Sequence, residues 1–473
     1  MTGFDFDFTV LGGGSAGYAA AALAARAGLR TAVIDGGAEV GGLCILRGCM
    51  PSKTLLATSA RAEAVRLAAE FGVHAGFAGV DGAFMQARKR RLVAEFAEYR
   101  RGQLESGRFT FIRGKARFTG PHALRIEAPE GTEPDTHAPP NTLTSKTFLI
   151  ATGSRIHTPT IPGLVETGFL DSDRFLASEH IPRSVVVLGG GAVALEAATF
   201  YAGVGARVTV LQRSARILKE ADSDISEALA AGLRNHGVEV ETGTELLLAG
   251  NCPEGKFVRY LQGTREKEVR AEEILCALGR QAATAGLGLE ECGIRLGGSR
   301  IGVSPTQQTS LPHVFAAGDV CGPLEVVHIA IQQAETAARN AVRLLADSRQ
   351  PLEETDYRLK LLALFTEPGM AMVGLTEAEA REAGIPFLSA SYPFNDHGKS
   401  MVEGLLDGFV KLLVRADSRE IIGAAVVGPH AAELIHEIVV ALHFHATAGD
   451  LARIPHYHPT LSEIWTYPAE ELA

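Results

Sequence analysis

Two cysteines share the segment Gly41-Gly42-Leu43-Cys44-Ile45-Leu46-Arg47-Gly48-Cys49-Met50-Pro51-Ser52-Lys53. The gap between them does not suit a zinc knuckle, and no second Cys or His pair stands nearby at metal spacing. It does suit an intramolecular disulfide in the opening turn of one helix. Gly48 would relax the backbone between them, and Pro51 is tolerated in a first helical turn. A helix N-terminus stabilises a thiolate, and the thiolate is the species that exchanges with disulfides. Redox chemistry at Cys44 and Cys49 is one reading; two unrelated thiols beside a glycine-rich loop is the other. Cys252, Cys276, Cys292 and Cys321 are scattered, and packing is their expected role.

A second chemical candidate lies near the other end, in His456-Tyr457-His458-Pro459-Thr460-Leu461-Ser462-Glu463. Dithiol chemistry needs a group that takes up and returns protons near neutrality, which an imidazole does. Glu463 could orient such a ring, as a third group does in a catalytic triad. Read locally, Thr460-x-x-Glu463 is a capping box, which would occupy the carboxylate with backbone. His456 and His458 lack evident further ligands, so no metal is expected.

The elements that must position these residues form a unit that occurs twice. Strand-like Thr9-Val10-Leu11 runs into Gly12-x-Gly14-x-x-Gly17, an alanine-rich helix to Ala27, and a strand ending at Asp35. Val185 to Leu188 runs into Gly189-x-Gly191-x-x-Ala194, a helix through Tyr201, and a strand ending at Gln212. The step from Gly12 to Asp35 equals that from Gly189 to Gln212, so the copies are in register. In such a unit the first glycine makes the tight turn, the second admits a pyrophosphate, and the third lets helix and strand pack closely. The helix N-terminus offers free N–H groups to the phosphates. One G-x-G spacing among 52 glycines is weak; two in-register copies predict two dinucleotide sites. Further strands entering glycine turns are read at Phe148 to Gly153, Ile274 to Arg280 and Val314 to Asp319. Ala128 to Asn141, with its prolines, reads as an exposed loop, and Pro351 to Thr355 as a linker. The last stretch mixes strands, Phe409 to Val414 and Ile421 to Val427, with a helix, Ala431 to Phe444.

The chain has 473 residues, of which 46% are hydrophobic and 21% charged, with a formal net charge of −10. That length predicts several domains. The acidic balance argues against a general nucleic-acid binder. Arg88-Lys89-Arg90-Arg91, followed by Glu95 and Glu98, reads as a solvated helix face. No signal-like stretch precedes the first strand and no apolar run is long enough to cross a bilayer. The expected compartment is the cytoplasm.

Taken in order, the Gly12–Gly17 turn, the Cys44–Cys49 segment through Lys53, Ala151-Thr152-Gly153, the second glycine turn, Ala317-Gly318-Asp319 and His458-Pro459-Thr460 resemble the pyridine nucleotide–disulfide oxidoreductases. These are the flavoprotein disulfide reductases that include lipoamide dehydrogenase, glutathione reductase and mercuric reductase. The resemblance implies an α/β fold of two Rossmann-like dinucleotide-binding domains and an α+β C-terminal dimerisation domain. The expected boundaries are 1–155 for FAD, 156–281 for NAD(P)H, 282–350 for a central domain and 351–473 for the homodimer interface. It implies FAD on Gly12, Gly14, Ser15, Ala16, Gly17, Asp35, Lys53, Gly114, Thr152, Gly153 and Asp319. It implies a nicotinamide nucleotide on Gly189, Gly191, Ala194, Glu196, Gln212, Arg213, Lys219 and Gly279, with Lys53 and Glu196 paired near the flavin.

By the same resemblance Cys49 faces the flavin, Cys44 is the interchange thiol, and the two form a disulfide in the oxidised enzyme. His458 is the base, oriented by Glu463 and reaching the thiols of the other subunit. The substrate would be a small disulfide. Leu43 and Leu46 depart from the common pattern, which has Thr and Asn there. Neutral Gln212, then Arg213 and Lys219, point to NADPH over NADH, since a carboxylate would repel a 2′-phosphate. Alternatives are an NAD-linked dihydrolipoamide dehydrogenase, a metal-ion or quinone-reducing NADPH diaphorase, and a non-catalytic flavin sensor. Ala22 stands where glutathione reductases carry a glutathione-binding Arg. No cysteine follows Cys321, so the terminal pair of mercuric reductases is missing.

Overall fold

A computed structural model describes residues 3–128 and 141–473. Most of the Ala128 to Asn141 loop lies outside the described residues. The chain forms two compact units. One comprises Met1–Ser52, Ala87–His157 and Arg280–Asp356; the other comprises Lys53–Gln86, Thr158–Gly279 and Tyr357–Ala473.

The first unit is built on a seven-stranded sheet. Its elements are β1 (Phe6–Leu11), α1 (Ser15–Arg26), β2 (Thr31–Asp35), α2 (Gly42–Arg47), the start of α3 (Cys49–Leu67), α4 (Gly82–Leu104, mostly in this unit), β3 (Thr110–Arg113), β4 (Lys115–Gly120), β5 (Ala123–Glu127) and β6 (Thr142–Ile150). Strand order is β3-β2-β1-β6-β5-β4, with Val314–Ala316 also beside β6. The part from β3 to β6 and Val314–Ala316 is parallel. Parallel strands covered on both faces carry near-continuous apolar runs, as in Phe148 to Ile150 and in Phe8 to Leu11, where only Thr9 is polar and it too is buried. On one face Ala16, Ala20, Ala21 and Ala24 of α1 pack in a common core with Ala334, Ala337, Ala338 and Ala341 of the helix Val327–Leu345. The small side chains let the two helices sit close to the sheet and to each other.

Register decides where the chemistry goes. Leu11 pairs with Ile34 and with Ile150, and Ile150 pairs with Ala316. Gly12, Asp35, Ala151-Thr152-Gly153 and Ala317-Gly318-Asp319 therefore emerge together at the carboxyl edge of the sheet, where open α/β sheets bind ligands. Ser154–Ile156 pairs antiparallel with Arg280–Ala282, at the points where the chain leaves and re-enters this unit.

The second unit repeats the theme. A four-stranded parallel sheet has the order Val238–Thr242, Arg207–Gln212, Ser184–Leu188, Glu273–Cys276. The helix Ala192–Gly203 follows its glycine turn. The unit also holds a three-stranded antiparallel sheet (Thr244–Cys252, Gly255–Gln262, Arg265–Ala271) and a five-stranded antiparallel one. In the latter Ile421–Gly428 is central, with Gly369–Gly374 and Phe409–Arg415 as neighbours and Leu361–Leu364 and Phe387–Pro393 at the edges. The helix Ala431–His443 covers it, and buried Trp465 donates its indole N–H to Leu434 O at 3.1 Å. The two Rossmann-like units and the α+β C-terminal part are those expected from the sequence.

Candidate active site

The glycine turn of the first unit is sterically fixed. Gly12 has φ +109°, and a β-carbon there would stand 2.4 Å from Ala151 O. A β-carbon on Gly17 would stand 1.9 Å from Gly12 O. On Gly42 it would lie 2.6 Å from Gly14 Cα, so two glycine segments touch backbone to backbone. Gly14 caps α1 without a side-chain hydrogen bond, and no acidic residue lies in the first turn, which holds Ser15, Ala16 and Gly17. Its N–H groups and positive dipole end are open to an anion. Asp35 closes the other end: Oδ2 accepts from Gly13 N–H and Oδ1 from Gly37 N–H, both at 2.8 Å. Gly114 N–H meets Asp35 O at 3.0 Å. Thr152 Oγ1 donates to Ala283 O at 2.8 Å, and Gly153 turns at φ +73°. Asp319 Oδ2 accepts from Ser154 Oγ at 2.6 Å, and Ser154 Oγ accepts from Arg280 Nε at 2.8 Å. An uncapped helix start, a cradle that a β-carbon would fill and a carboxylate at the ribose position fit a dinucleotide such as FAD.

The second turn has the same mechanics. Gly189 has φ +115°, and a β-carbon there would lie 2.6 Å from Ala277 O. Gly191 caps its helix without a side-chain hydrogen bond, and Ala194 is buried. Gln212 sits against the middle glycine, Gly190, as Asp35 sits against Gly13. Arg213 and Lys219 are exposed, with Lys219 Nζ 3.7 Å from Glu220. Gly279 turns at φ +115°.

The cysteine pair is arranged differently from expectation. Cys44 belongs to α2, and Cys49 opens α3. The thiols therefore do not share the first turn of one helix. The break is Gly48, where a β-carbon would come 3.0 Å from Leu43 O and 3.1 Å from Cys44 Cα. The chain folds back so tightly that only glycine fits without displacement, and this returns Cys49 toward Cys44. The remaining cysteines contrast with them. Burial pushes the Cys276 and Cys292 thiols up, and Cys321 up to about 12.

One turn along α3 from Cys49 is Lys53. Its Nζ meets both carboxylate oxygens of Glu196 at 2.8 Å and lies 4.6 Å from the centre of the Phe365 ring. Phe365 N–H donates to Glu196 at 3.2 Å. The pair expected from the sequence is present.

At the C-terminal segment, His458 Nδ1 lies 3.1 Å from Glu463 Oε2, and the ring is largely exposed. The capping-box reading of Thr460 and Glu463 is overturned. Thr460 Oγ1 pairs with Ser462 Oγ at 3.3 Å, and the Glu463 carboxylate turns to histidines. The cause is a second imidazole. His397 is wholly buried, with Nε2 3.4 Å from Glu463 Oε1 and Nδ1 2.8 Å from Ser400 Oγ. Burial lowers the His397 pKa, against the pull of Glu463. His456 is engaged by Glu437 at 2.6 Å.

Sequence reasoning missed His397, and also Gln333. The latter is buried, accepts from Gly318 N–H at 2.7 Å and donates to Gly322 O at 2.6 Å, fixing the turn that carries Asp319. Neither residue sits in a motif. A polar residue on the apolar face of a helix was the one available signal for Gln333.

Two such glycine turns, one against the segment that carries Cys44 and Cys49, fit a flavin-linked enzyme of dithiol–disulfide chemistry. Comparison with known proteins agrees. The family model for pyridine nucleotide-disulphide oxidoreductases matches residues 6–334, and the model of that family's dimerisation domain matches residues 362–469. The dihydrolipoyl dehydrogenase of Bacillus subtilis is 33% identical over 97% of this chain and 96% of its own. That of Thermus scotoductus is 34% identical over 99% and 97%. Among solved structures, the Cu(II) complex of the HOCl-induced flavoprotein disulfide reductase RclA of Escherichia coli superposes with a TM-score of 0.82, at 26% identity over 99% of each chain. The chain belongs to the pyridine nucleotide-disulphide oxidoreductases and is an oxidoreductase. FAD is the cofactor expected of the family, and the dimerisation domain indicates a homodimer. No helix among the described residues is long and apolar enough to cross a membrane.

Proposed function

We propose that this enzyme carries electrons from NADPH, in preference to NADH, through FAD to Cys44 and Cys49 and on to a small disulfide. The observation that carries the reading is the fold-back at Gly48, which holds two thiols beside the first dinucleotide cradle. Bound there, FAD supplies the two-electron relay between nicotinamide and thiols. The chain's own residues do the rest. Gly114, Thr152, Gly153 and Asp319 hold the flavin, and Arg213 and Lys219 bind the 2′-phosphate. Cys44 thiolate attacks the substrate disulfide, giving a mixed disulfide and one thiolate product. Cys49 thiolate then attacks Cys44 Sγ, releasing the second product thiolate and leaving the Cys44–Cys49 disulfide. His458, oriented by Glu463, returns protons to the leaving thiolates and serves the thiols of the other subunit of the homodimer.

The likeness to dihydrolipoyl dehydrogenases favours a dithiolane substrate. The copper complex of RclA favours a metal-ion acceptor as the second reading. An anaerobic panel decides between them, crossing NADPH and NADH with lipoamide, glutathione disulfide, coenzyme A disulfide, Cu(II), Hg(II) and a quinone. Cys44→Ser should abolish disulfide reduction and spare quinone reduction. Reductive titration of the wild type should take up about four electrons per flavin, two of them at the thiols. Uptake of two, with an unchanged thiol count, would end the dithiol reading.

A further inference from the structure

Arg100 lies in the last turns of α4, on the side that meets α1. Its Cζ stands 4.5 Å from the centre of the Tyr18 ring, and Arg108 Nη2 donates to the Tyr18 hydroxyl at 3.3 Å. Arg100 Nε and Nη1 are shielded from water and have no hydrogen-bond partner among the described residues. Gln103, one turn on, has a shielded Oε1 in the same condition. Other arginines of α4 find carboxylates: Arg91 meets Glu95 at 2.7 Å and Arg101 meets Glu98 at 3.3 Å. The groups that act electrostatically on Arg100 are Tyr18, Cys44 and Tyr99, with no carboxylate among them. Burial holds its guanidinium below the usual range. An aromatic face recovers part of the lost hydration. A shielded guanidinium still calls for an anion and for acceptors on its N–H groups.

We propose that Arg100, assisted by Gln103, binds a carboxylate or similar anionic group on the disulfide substrate while the sulfurs meet Cys44. This rests on the reading of Cys44 as the substrate-facing thiol. The Gln103 amide, rotated by half a turn, presents its NH₂ group to the same anion. Anion recognition could also serve a phosphate of the cofactor. The substrate is favoured because the proposed interchange thiol, Cys44, is among the groups whose charge acts on Arg100. The phosphates already have the uncapped start of α1.

Lipoate and lipoamide share the dithiolane ring and differ in carboxylate against amide, so they test the idea directly. The wild type should favour lipoate in kcat/KM. Arg100→Gln should lower kcat/KM for lipoate about tenfold or more, mainly through KM, and leave lipoamide within about twofold. Arg100→Lys should retain part of the preference. In the unmutated enzyme octanoate should compete with the disulfide and octanamide should not. Equal loss on both disulfides would assign Arg100 to thiolate support and overturn the proposal. Loss of bound FAD from Arg100→Gln would assign the anion to the cofactor and overturn it too. So would indifference of the wild type to charge in both pairs. If Cys44→Ser still reduces both disulfides, the dithiol reading fails instead, and the charge preference is then read on that remaining activity.

Discussion

Glu463 stands between two histidines: Oε2 pairs with exposed His458 at 3.1 Å, and Oε1 lies 3.4 Å from buried His397. The groups facing His397 are Glu463, His458, the Ser400 hydroxyl and, edge to face, the Tyr467 ring. Because burial lowers its pKa, His397 stays neutral into mildly acidic solution. A neutral ring can steady Glu463 without cancelling the charge that, on the proposed reading, orients His458. His397→Phe is therefore expected to slow disulfide turnover about three- to tenfold and to shift the acidic limb of its pH–rate profile. His397→Asn should recover much of the loss, and flavin reduction by NADPH should not change. Adding His397→Phe to Glu463→Gln should cost little more, because the two act in series. An additive loss in that double variant would separate His397 from the dyad. The His458–Glu463 pair was legible in the sequence because both partners lie in one short segment. His397 was not, because more than sixty residues separate it from Glu463 and only the packing of the C-terminal sheet brings them together.

Among the elements, the helices around the thiols behave differently from their sequence pattern. The Cys44–Cys49 segment reads as the opening turn of one helix, with Gly48 relaxing the backbone, whereas the chain makes two, α2 and α3. The break depends on a backbone contact with Leu43 and Cys44 that no local propensity encodes. The glycine turns were legible to the residue because their geometry is local and repeated. Gly48→Ala should destabilise by about 1–3 kcal/mol, lowering Tm by a few degrees. It should slow formation of the Cys44–Cys49 disulfide more than it slows flavin reduction. Unchanged thiol kinetics would mean that the close approach at Gly48 has no part in them.

Farther along α3, Glu63 meets His236 Nδ1 at 2.5 Å, and Asp407 meets His236 Nε2 at 3.3 Å. Asp407 and Glu63 raise the His236 pKa to about 10. A raised folded-state pKa stabilises most below the unfolded value, near pH 6.5, and that contribution is lost as pH rises through about 10. Thermal melts of His236→Gln should therefore fall closest to wild type at the alkaline end of this window. A constant gap across it would refute the ion-pair account.

For the whole molecule, one βαβ design is used twice, and on the proposed reading a single position tells the two cofactors apart. Asp35 and Gln212 occupy the same place against the middle glycine of each turn. Arg213→Ala should lower kcat/KM for NADPH about ten- to a hundredfold and change NADH little. Selectivity unchanged by this substitution, or a wild type that prefers NADH, would reverse the assignment. The distribution of thiol acidity has its own consequence for life under oxidants. Peroxide and alkylating reagents consume thiolates, and Cys276, Cys292 and Cys321 are held protonated. Brief iodoacetamide labelling of the reduced native protein at neutral pH, read by peptide mass spectrometry, should then mark the Cys44–Cys49 peptide well before those three. On the proposed reading, three of the other four cysteines are thereby withheld from oxidants, and a burst of oxidant falls first on a pair that reduction can restore.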